Sequence, residues 1–91
     1  MFGQINKITT LEGKRDEVVR LVISGSDQMP GCHSYIVAKD KDDDNTIWVS
    51  EVWDSAEMQN ASMDIPDVRR SVEKAMPMIA GFETIATTVP A

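Results

Sequence analysis

Two spacings of apolar residues alternate along the chain and divide it into candidate strands and helices. MFGQINKITT is rich in β-branched residues and favours a first strand over residues 2–10. From Lys14 onward the apolar positions follow a helical period, so one stripe of a helix can face a core. That stripe contains Val18, Leu21, Val22, Gly25 and Met29. Pro30 and Gly31 are expected to end the helix, because proline lacks an amide donor and glycine readily takes positive φ.

Strand-like alternation returns in CHSYIVAKD (residues 32–40) and TIWVSEVWD (residues 46–54), which predicts two further strands. Large apolar groups occur on both faces of this pair, so we expect it to be covered on both sides. The next segment, Asp54-Ser55-Ala56-Glu57, has the form of a capping box in which Asp54 accepts from a free amide. A short helix is therefore predicted over about residues 55–62.

The rest of the chain predicts one more helix and one more strand. Pro66 suits the first turn of a helix that continues until Pro77 ends or kinks it. After Gly81 the segment FETIATTV alternates again and predicts the last strand. The resulting order, βαββαβ, is that of a ferredoxin-like α+β fold with a four-stranded antiparallel sheet. No linker or internal repeat interrupts it, so we predict one domain over residues 1–91.

Composition and charge exclude several classes of protein. Fifteen acidic and nine basic residues give a net charge of -6, so neither nucleic acid nor an anionic membrane is expected as a partner. Cys32 is the one cysteine and has no partner for an internal disulfide. The N-terminal segment lacks the features of a secretion signal, and no apolar run could span a membrane. A cytoplasmic location is therefore expected.

The segment DKDDDNTIWVSE has the ligand order of a calcium loop, with carboxylates at Asp40, Asp42, Asp44 and Glu51. A calcium loop needs an entering helix, whereas the residues before Asp40 alternate with a period of two. The position that normally holds glycine is Asn45. A hairpin with a water-facing acidic turn accounts for the same residues, and we favour it over the calcium interpretation.

Three short segments carry a resemblance to a known family: PGCHSY, the strand EVWDS before a short helix, and AGF before the last strand. Together, and in the order of their elements, they resemble the antibiotic biosynthesis monooxygenase family. This resemblance implies a dimeric α/β barrel with a small-molecule pocket between the sheet and the helices. It also implies oxygen chemistry on quinol-like or polyphenolic substrates without flavin, haem or metal.

The residues themselves are compatible with a reaction that needs no cofactor. There is no glycine-rich phosphate loop, and a lone histidine with a lone cysteine cannot build a usual zinc or iron site, so no cofactor or metal is expected. An electron-rich dihydroxyarene can supply its own electrons to dioxygen. The protein then has to hold a phenolate in a dry cavity, offer a base, and direct donors at developing negative charge.

Two residues are the candidate catalytic groups. The resemblance places a polar asparagine on the first strand, which corresponds to Asn6. His33 has the only side chain expected to titrate near neutral pH, so it is the candidate general base. The candidate substrate-binding residues are Trp53, Trp48, Tyr35 and Glu51. Each also has a structural interpretation. Asn6 can be an ordinary strand amide and His33 an inert histidine, the aromatic residues can belong to a core, and Glu51 can pair with Lys7 or an arginine.

Two positions depart from the pattern of the family. Many relatives have a histidine nine residues after the strand tryptophan, and that position holds Ser62 here. The haem-degrading branch would need a tryptophan near Ser62 and a histidine near Val72, so haem degradation is disfavoured. We therefore predict a cofactor-independent monooxygenase acting on a small quinol-like substrate with dioxygen. The alternative is a non-catalytic module of the same fold that binds a hydrophobic small molecule.

A homodimer is predicted from the distribution of apolar strand positions. The helices of a βαββαβ unit cover one face of the sheet only. Apolar residues nevertheless suggest apolar area on more than one face, with examples at Ile5, Val37, Ile47 and Ile85. A second copy of the chain would cover the remainder.

Overall fold

The computed structural model describes residues 1–91 and contains one four-stranded sheet with three α-helices. The elements are β1 (Phe2–Thr10), α1 (Arg15–Gly25), β2 (Cys32–Lys39), β3 (Thr46–Trp53), α2 (Ala56–Ala61), α3 (Pro66–Ala75) and β4 (Ile79–Thr88). Single 3-10 turns at Ser62–Asp64 and Met76–Met78 flank α3. None of the helices combines the length and the apolar character that crossing a bilayer requires.

The strands lie in the order β2-β3-β1-β4, and every neighbouring pair is antiparallel. Each half of the chain therefore contributes one central and one edge strand, which is the ferredoxin-like arrangement that the element order predicts. The predicted α+β fold is confirmed. The register places Asn6 of β1 opposite Val49 of β3 and Thr84 of β4. It also places Tyr35 of β2 opposite Glu51 of β3.

The helices pack on one face of the sheet, which we call the inner face. Its buried core joins Ile8, Ile47 and Val49 of the central strands to Val18 of α1 and Ala75 of α3. Full burial of a Val or Ile side chain contributes about 1.5–3 kcal/mol, so this cluster is a principal source of stability. A second cluster contains Met29, Trp53 and Val68 and lies toward the other end of the inner face.

Helix α1 ends earlier than its apolar stripe predicts. Its last residue is Gly25, and Gln28 takes a left-handed φ of 55° before Pro30 is reached. Gly25 is buried against α3, where an added Cβ would lie 2.8 Å from the side chain of Ser71. Met29 still reaches the core, but from the loop after the helix. The prediction that Pro30 and Gly31 end the helix was therefore wrong.

The cap of α2 also differs from the prediction. Ser55 is the N-cap and accepts from the backbone amide of Met58 at 3.2 Å. Asp54 lies one residue too early for this role, and its carboxylate contacts His33 instead. The expectation for Pro66 was correct, because it lies in the first turn of α3. Strand β4 begins at Ile79, before the predicted FETIATTV, because the backbone becomes extended directly after the turn that contains Pro77.

The acidic segment between β2 and β3 is a hairpin loop, as favoured. Asp40 Oδ2 accepts from the backbone amides of Asp42 at 3.0 Å and Asp43 at 2.8 Å. Asp43 Oδ1 accepts from the amide of Asn45 at 2.9 Å. Glu51, the twelfth position of the calcium pattern, lies inside β3 and is buried. The carboxylates therefore order their own turn, and the calcium interpretation fails on its geometry.

Candidate functional site

A cavity of about 450 Å³ lies between the inner face of the sheet and helices α1 and α3. Most of its wall is apolar, with Ile8 and Val49 from the sheet and Val22, Val68 and Val72 from the helices. Such a volume falls within the usual range for small-molecule sites, which are mostly apolar with a few polar groups. The wall accordingly suits a small hydrophobic ligand.

The polar part of the wall is a hydrogen-bonded group on the central strands. Asn6 Nδ2 donates to Glu51 Oε2 at 2.7 Å, and Trp53 Nε1 donates to Glu51 Oε1 at 2.8 Å. Thr84 Oγ1 donates to Asn6 Oδ1 at 2.9 Å, so the amide is fixed from both sides. Glu51 and Trp53 are two residues apart on β3 and share a face, and Asn6 lies diagonally from Glu51 on β1. We call Asn6, Glu51 and Trp53 the polar triad.

Burial controls the electrostatics of the triad. Glu51 is only 7% exposed, and none of the ion pairs in the chain includes it. Removal from water raises the pKa of its carboxyl, although the bonds from Trp53 and Asn6 act in the opposite direction. Burial also raises the pKa of the Tyr35 hydroxyl, and the negative charge of Glu51 raises it further. Both groups therefore favour their neutral forms more than they would in water.

The entrance of the cavity is apolar and open to solvent. Met63, Met76 and Phe82 line it and remain exposed, with Phe82 at 63%. Methionine side chains are flexible and polarizable, so they can adapt to aromatic ligands of different outline. A ligand would therefore pass an apolar rim before reaching the polar triad.

The structure brings four of the six sequence-predicted residues to the cavity. Asn6, Glu51, Trp53 and Tyr35 all line it. Ser62, the position where relatives have a histidine, also lines it and is buried, with its hydroxyl donating to the carbonyl of Gln59 at 2.6 Å.

Trp48 lies on the opposite face of the sheet, which we call the outer face. Its Nε1 donates to Asp40 Oδ1 at 2.7 Å, and Lys7 Nζ lies 5.9 Å from the ring centroid. The alternation along β3 separates it from Trp53, as expected for residues an odd number of positions apart. Trp53 therefore lines the cavity, and Trp48 does not.

His33 also lies outside the cavity. Its ring is exposed, and Nε2 lies 2.5 Å from Asp54 Oδ1. Regular pairing would place His33 opposite Trp53, on the inner face with Tyr35. The pairing instead shifts by one residue, so that Cys32 is opposite Trp53 and Ser34 is opposite Val52. This β-bulge turns His33 outward, and the geometry of one chain does not support it as the general base of this site.

Thr84 was not among the predicted residues, although it orients Asn6. A signal existed in FETIATTV, since the register of a ferredoxin-like sheet places the last strand beside the first. Alternation then puts Thr84 on the same face as Phe82. The partner of Glu51 was also different from the expectation, because Asn6 and Trp53 each donate to one of its oxygens and neither Lys7 nor an arginine does.

Comparisons with known proteins agree on one family. The family model for antibiotic biosynthesis monooxygenases matches residues 1–74. A solved structure from Chloroflexus aurantiacus J-10-fl, assigned to the same monooxygenases, is 40% identical with a TM-score of 0.94, covering 99% of this chain and 92% of that one. A structure from Nitrosomonas europaea is 12% identical with a TM-score of 0.87, covering 99% and 98%, and supports the fold alone. The search of curated proteins found no match.

Proposed function

The chain belongs to the antibiotic biosynthesis monooxygenase family, and from this premise we propose that it is a cofactor-independent monooxygenase that oxidises a small quinol-like or polyphenolic substrate with dioxygen. The observation that carries the proposal is the polar triad at the wall of an otherwise apolar cavity. An apolar wall accepts the ring of a dihydroxyarene, and the triad provides groups for its hydroxyls.

The proposed reaction takes all its electrons from the substrate. When a 1,4-hydroquinone is converted to a hydroxyquinone, one atom of dioxygen replaces a ring hydrogen as a hydroxyl, and the other leaves as water. The arene loses four electrons, which are the four that dioxygen needs. The protein therefore has to bind the arene, favour its phenolate, and exclude water while dioxygen reacts.

Asn6 and Trp53 have distinct roles in this proposal. The Asn6 amide has a second hydrogen, which contacts Gln4 Oε1 at 3.2 Å and can turn to a bound oxyanion instead. A donor placed where negative charge develops is typical of oxygen and carbonyl chemistry. Trp53 offers an aromatic surface to the substrate ring, held by its own bond to Glu51.

We also propose that the protein acts as a homodimer through the outer face. Ile36 and Ile85 are exposed there, with Ile36 at 59% exposure, and Trp48 and Val52 are half-buried. Exposed apolar area of this kind marks a contact surface. Light scattering at micromolar concentration is expected to give twice the mass of the chain, and a stable monomer would contradict this part of the proposal.

Oxygen uptake with a panel of hydroquinones tests the activity. We expect Asn6→Ala to lower the rate by about 10²–10³-fold, the usual effect of removing one donor to a developing oxyanion. Lys7→Ala is the matched control, because Lys7 is the next residue on β1 and lies on the outer face. An unchanged rate in Asn6→Ala would remove the amide from the mechanism.

His33→Ala tests the other catalytic candidate. Since His33 lies outside the cavity, we expect oxygen uptake to persist in this variant. Loss of activity with retained folding would show that His33 reaches a reacting substrate in the assembled protein.

The second candidate function is a binding module without turnover. Ser62 at the position of the family's helix histidine favours it, because a hydroxyl cannot replace an imidazole in proton transfer at neutral pH. Saturable binding of an aromatic ligand with no oxygen uptake from any hydroquinone would support this alternative.

A further inference from the structure

Glu51 differs from every other acidic residue of the chain. Among fifteen aspartates and glutamates it is the one that is buried. The four ion pairs lie at the surface and involve Asp16, Asp54, Asp64 and Asp67. A buried carboxylate without a cation destabilises a fold unless hydrogen bonds satisfy it, so its presence at a cavity wall is characteristic of functional sites.

The hydrogen bonds of Glu51 are incomplete for a carboxylate. Oε1 accepts from Trp53 and Oε2 accepts from Asn6, and both donors are neutral. An ionised carboxylate has about four acceptor positions, so each oxygen retains one. Glu51 lines the cavity, where a bound molecule can supply a further donor.

The surroundings supply no competing base. Tyr35 and Cys32 are the titratable side chains near Glu51, and the pKa of each is raised, first by burial and further by the negative charge of Glu51. From the helical segments the cavity wall receives mostly apolar side chains, with Gln59, Ser62 and Ser71 as uncharged polar groups. None of these three donates to Glu51, whose donors are Asn6 and Trp53, so a ligand in the cavity can occupy the remaining acceptor positions of the carboxylate.

We propose that Glu51 accepts the hydrogen bond of a substrate's phenolic hydroxyl and then takes its proton. The inference deepens the proposed monooxygenase function and rests on it. In the transfer the O–H bond of the phenol breaks, a new O–H bond forms on Glu51, and the electron pair stays on the substrate as phenolate. The total charge of the pair is unchanged, and the phenolate is the electron-rich species that dioxygen oxidises. Asn6 and Trp53 are positioning residues for this step, because they fix both carboxylate oxygens.

Recognition of a hydroxyl by Glu51 would restrict the class of substrate. A neutral dihydroxyarene satisfies Glu51, whereas an aryl ether has no proton to donate. An aromatic carboxylate would bring a second negative charge against a buried one, which is strongly unfavourable at low dielectric.

The apolar surroundings of Glu51 also favour its role as a base. They raise the pKa of its carboxyl, which brings it closer to the operating range of a general base.

Binding without oxygen tests the recognition of the hydroxyl. Tryptophan fluorescence is followed anaerobically while 1,4-naphthohydroquinone or its dimethyl ether, 1,4-dimethoxynaphthalene, is added. We expect Glu51→Gln to weaken binding of the hydroquinone by about tenfold or more and leave binding of the ether unchanged, because a hydrogen bond to a charged group is lost. Equal changes for both ligands, or none, would overturn the inference.

Glu83→Gln is the matched control. Glu83 is an exposed glutamate on β4, opposite Lys7 in the pairing with β1, and does not line the cavity. The same chemical change there is expected to leave both affinities as in the unmodified protein. Circular dichroism shows whether each variant is folded, and Glu51→Asp provides a second variant that keeps the charge on a shorter side chain.

The pH dependence of oxygen uptake with 1,4-naphthohydroquinone tests the proton transfer. In the unmodified protein kcat/KM should rise with pH as the carboxyl of Glu51 ionises. Glu51→Gln should lose this rise and lower kcat by about 10²–10⁴-fold, as expected for removal of a general base. Glu51→Asp should keep the rise at a lower rate.

The outcomes separate the two proposals. If Glu51→Gln turns over with unchanged rate and pH profile, the role of Glu51 is wrong while the monooxygenase function stands. If the unmodified protein consumes no oxygen but still binds the hydroquinone selectively through Glu51, the monooxygenase function and the proton transfer are both wrong, and Glu51 remains the hydroxyl acceptor of a binding site.

Discussion

On each face of β3 a tryptophan donates a hydrogen bond to a carboxylate, yet the pKa values of the two carboxyls shift in opposite directions. On the inner face Trp53 donates its indole N–H to Glu51, and on the outer face Trp48 donates its own to Asp40. The pKa of Glu51 is raised because burial outweighs its hydrogen bonds. The pKa of Asp40 is lowered, first by the bond from Trp48 and then by two backbone amides. The direction of the pKa shift is therefore determined by solvent exposure and not by the tryptophan donor, which is the same in both cases.

The two faces also differ in the groups that they present to a binding partner. The inner face encloses an apolar cavity with a carboxylate that lacks a cation. The outer face exposes Ile36 and places Lys7 beside Trp48. This difference is the basis for proposing a small-molecule ligand on the inner face and a second copy of the chain on the outer face.

The largest expected difference between the faces is in how much the tryptophan on each contributes to the free energy of unfolding. Trp53 is 1% exposed and packs with Met29 and Val68, so Trp53→Ala should lower the free energy of unfolding by about 3–5 kcal/mol. Trp48→Ala removes a half-buried ring and should lower it by clearly less. Urea denaturation of both variants measures this, and equal losses would mean that the two faces are similarly packed.

The next largest effect concerns the amide of the triad. Asn6→Ala leaves an oxygen of the buried Glu51 without its donor, whereas the exposed hydroxyl of Thr84 can bond to water instead. We expect a loss of about 1–3 kcal/mol in the free energy of unfolding, the usual effect of unpairing a buried polar group. Lys7→Ala, one residue along, should remain within about 0.5 kcal/mol of the unmodified protein. A small effect at Asn6 would indicate that water replaces its side chain.

The pH dependence of stability should differ in sign between the two carboxyls. The raised pKa of Glu51 means that its contribution to folding is present at low pH and is lost as pH rises through that pKa. The pKa of Asp40 is lowered, so its carboxylate stabilises the fold at pH values above the usual carboxyl range. This contribution is lost as pH falls through the lowered pKa. Glu51→Gln and Asp40→Asn should therefore change the slope of stability against pH in opposite directions.

Chemical denaturation at a series of pH values measures both slopes. The carboxylates outside this pair contribute to each variant equally, so the difference from the unmodified protein isolates one group. Slopes that change in the same direction would show that burial does not shift the pKa values of Glu51 and Asp40 in opposite directions.

The smallest effect is expected at His33. Its pair with Asp54 is exposed on both sides, and such pairs contribute about 0–1 kcal/mol. His33→Ala should therefore leave the denaturation midpoint close to that of the unmodified protein and leave the cavity unchanged. A large loss of stability would place His33 in a contact that the isolated chain does not contain.

Strands and their faces followed from sequence because alternation is a local property. Phe2–Thr10 was predicted with the bounds that the structure has, and Asn6, Glu51 and Trp53 were among the candidates. The assignments that failed depended on small local shifts. One extra residue at His33 moved its ring to the outside, and one position separated Ser55 from Asp54 as the helix cap.

Periodicity and short motifs were enough to predict the order of elements, the separation of Trp48 from Trp53, and the family, because each of these depends on residues close together in the chain. Which polar groups meet depends instead on contacts between distant segments. Asn6 and Glu51 are 45 positions apart in the chain, and Thr84 is 78 positions from Asn6. Their contacts depend on the register of three strands, and a bulge of one residue is enough to move a side chain from the cavity to solvent.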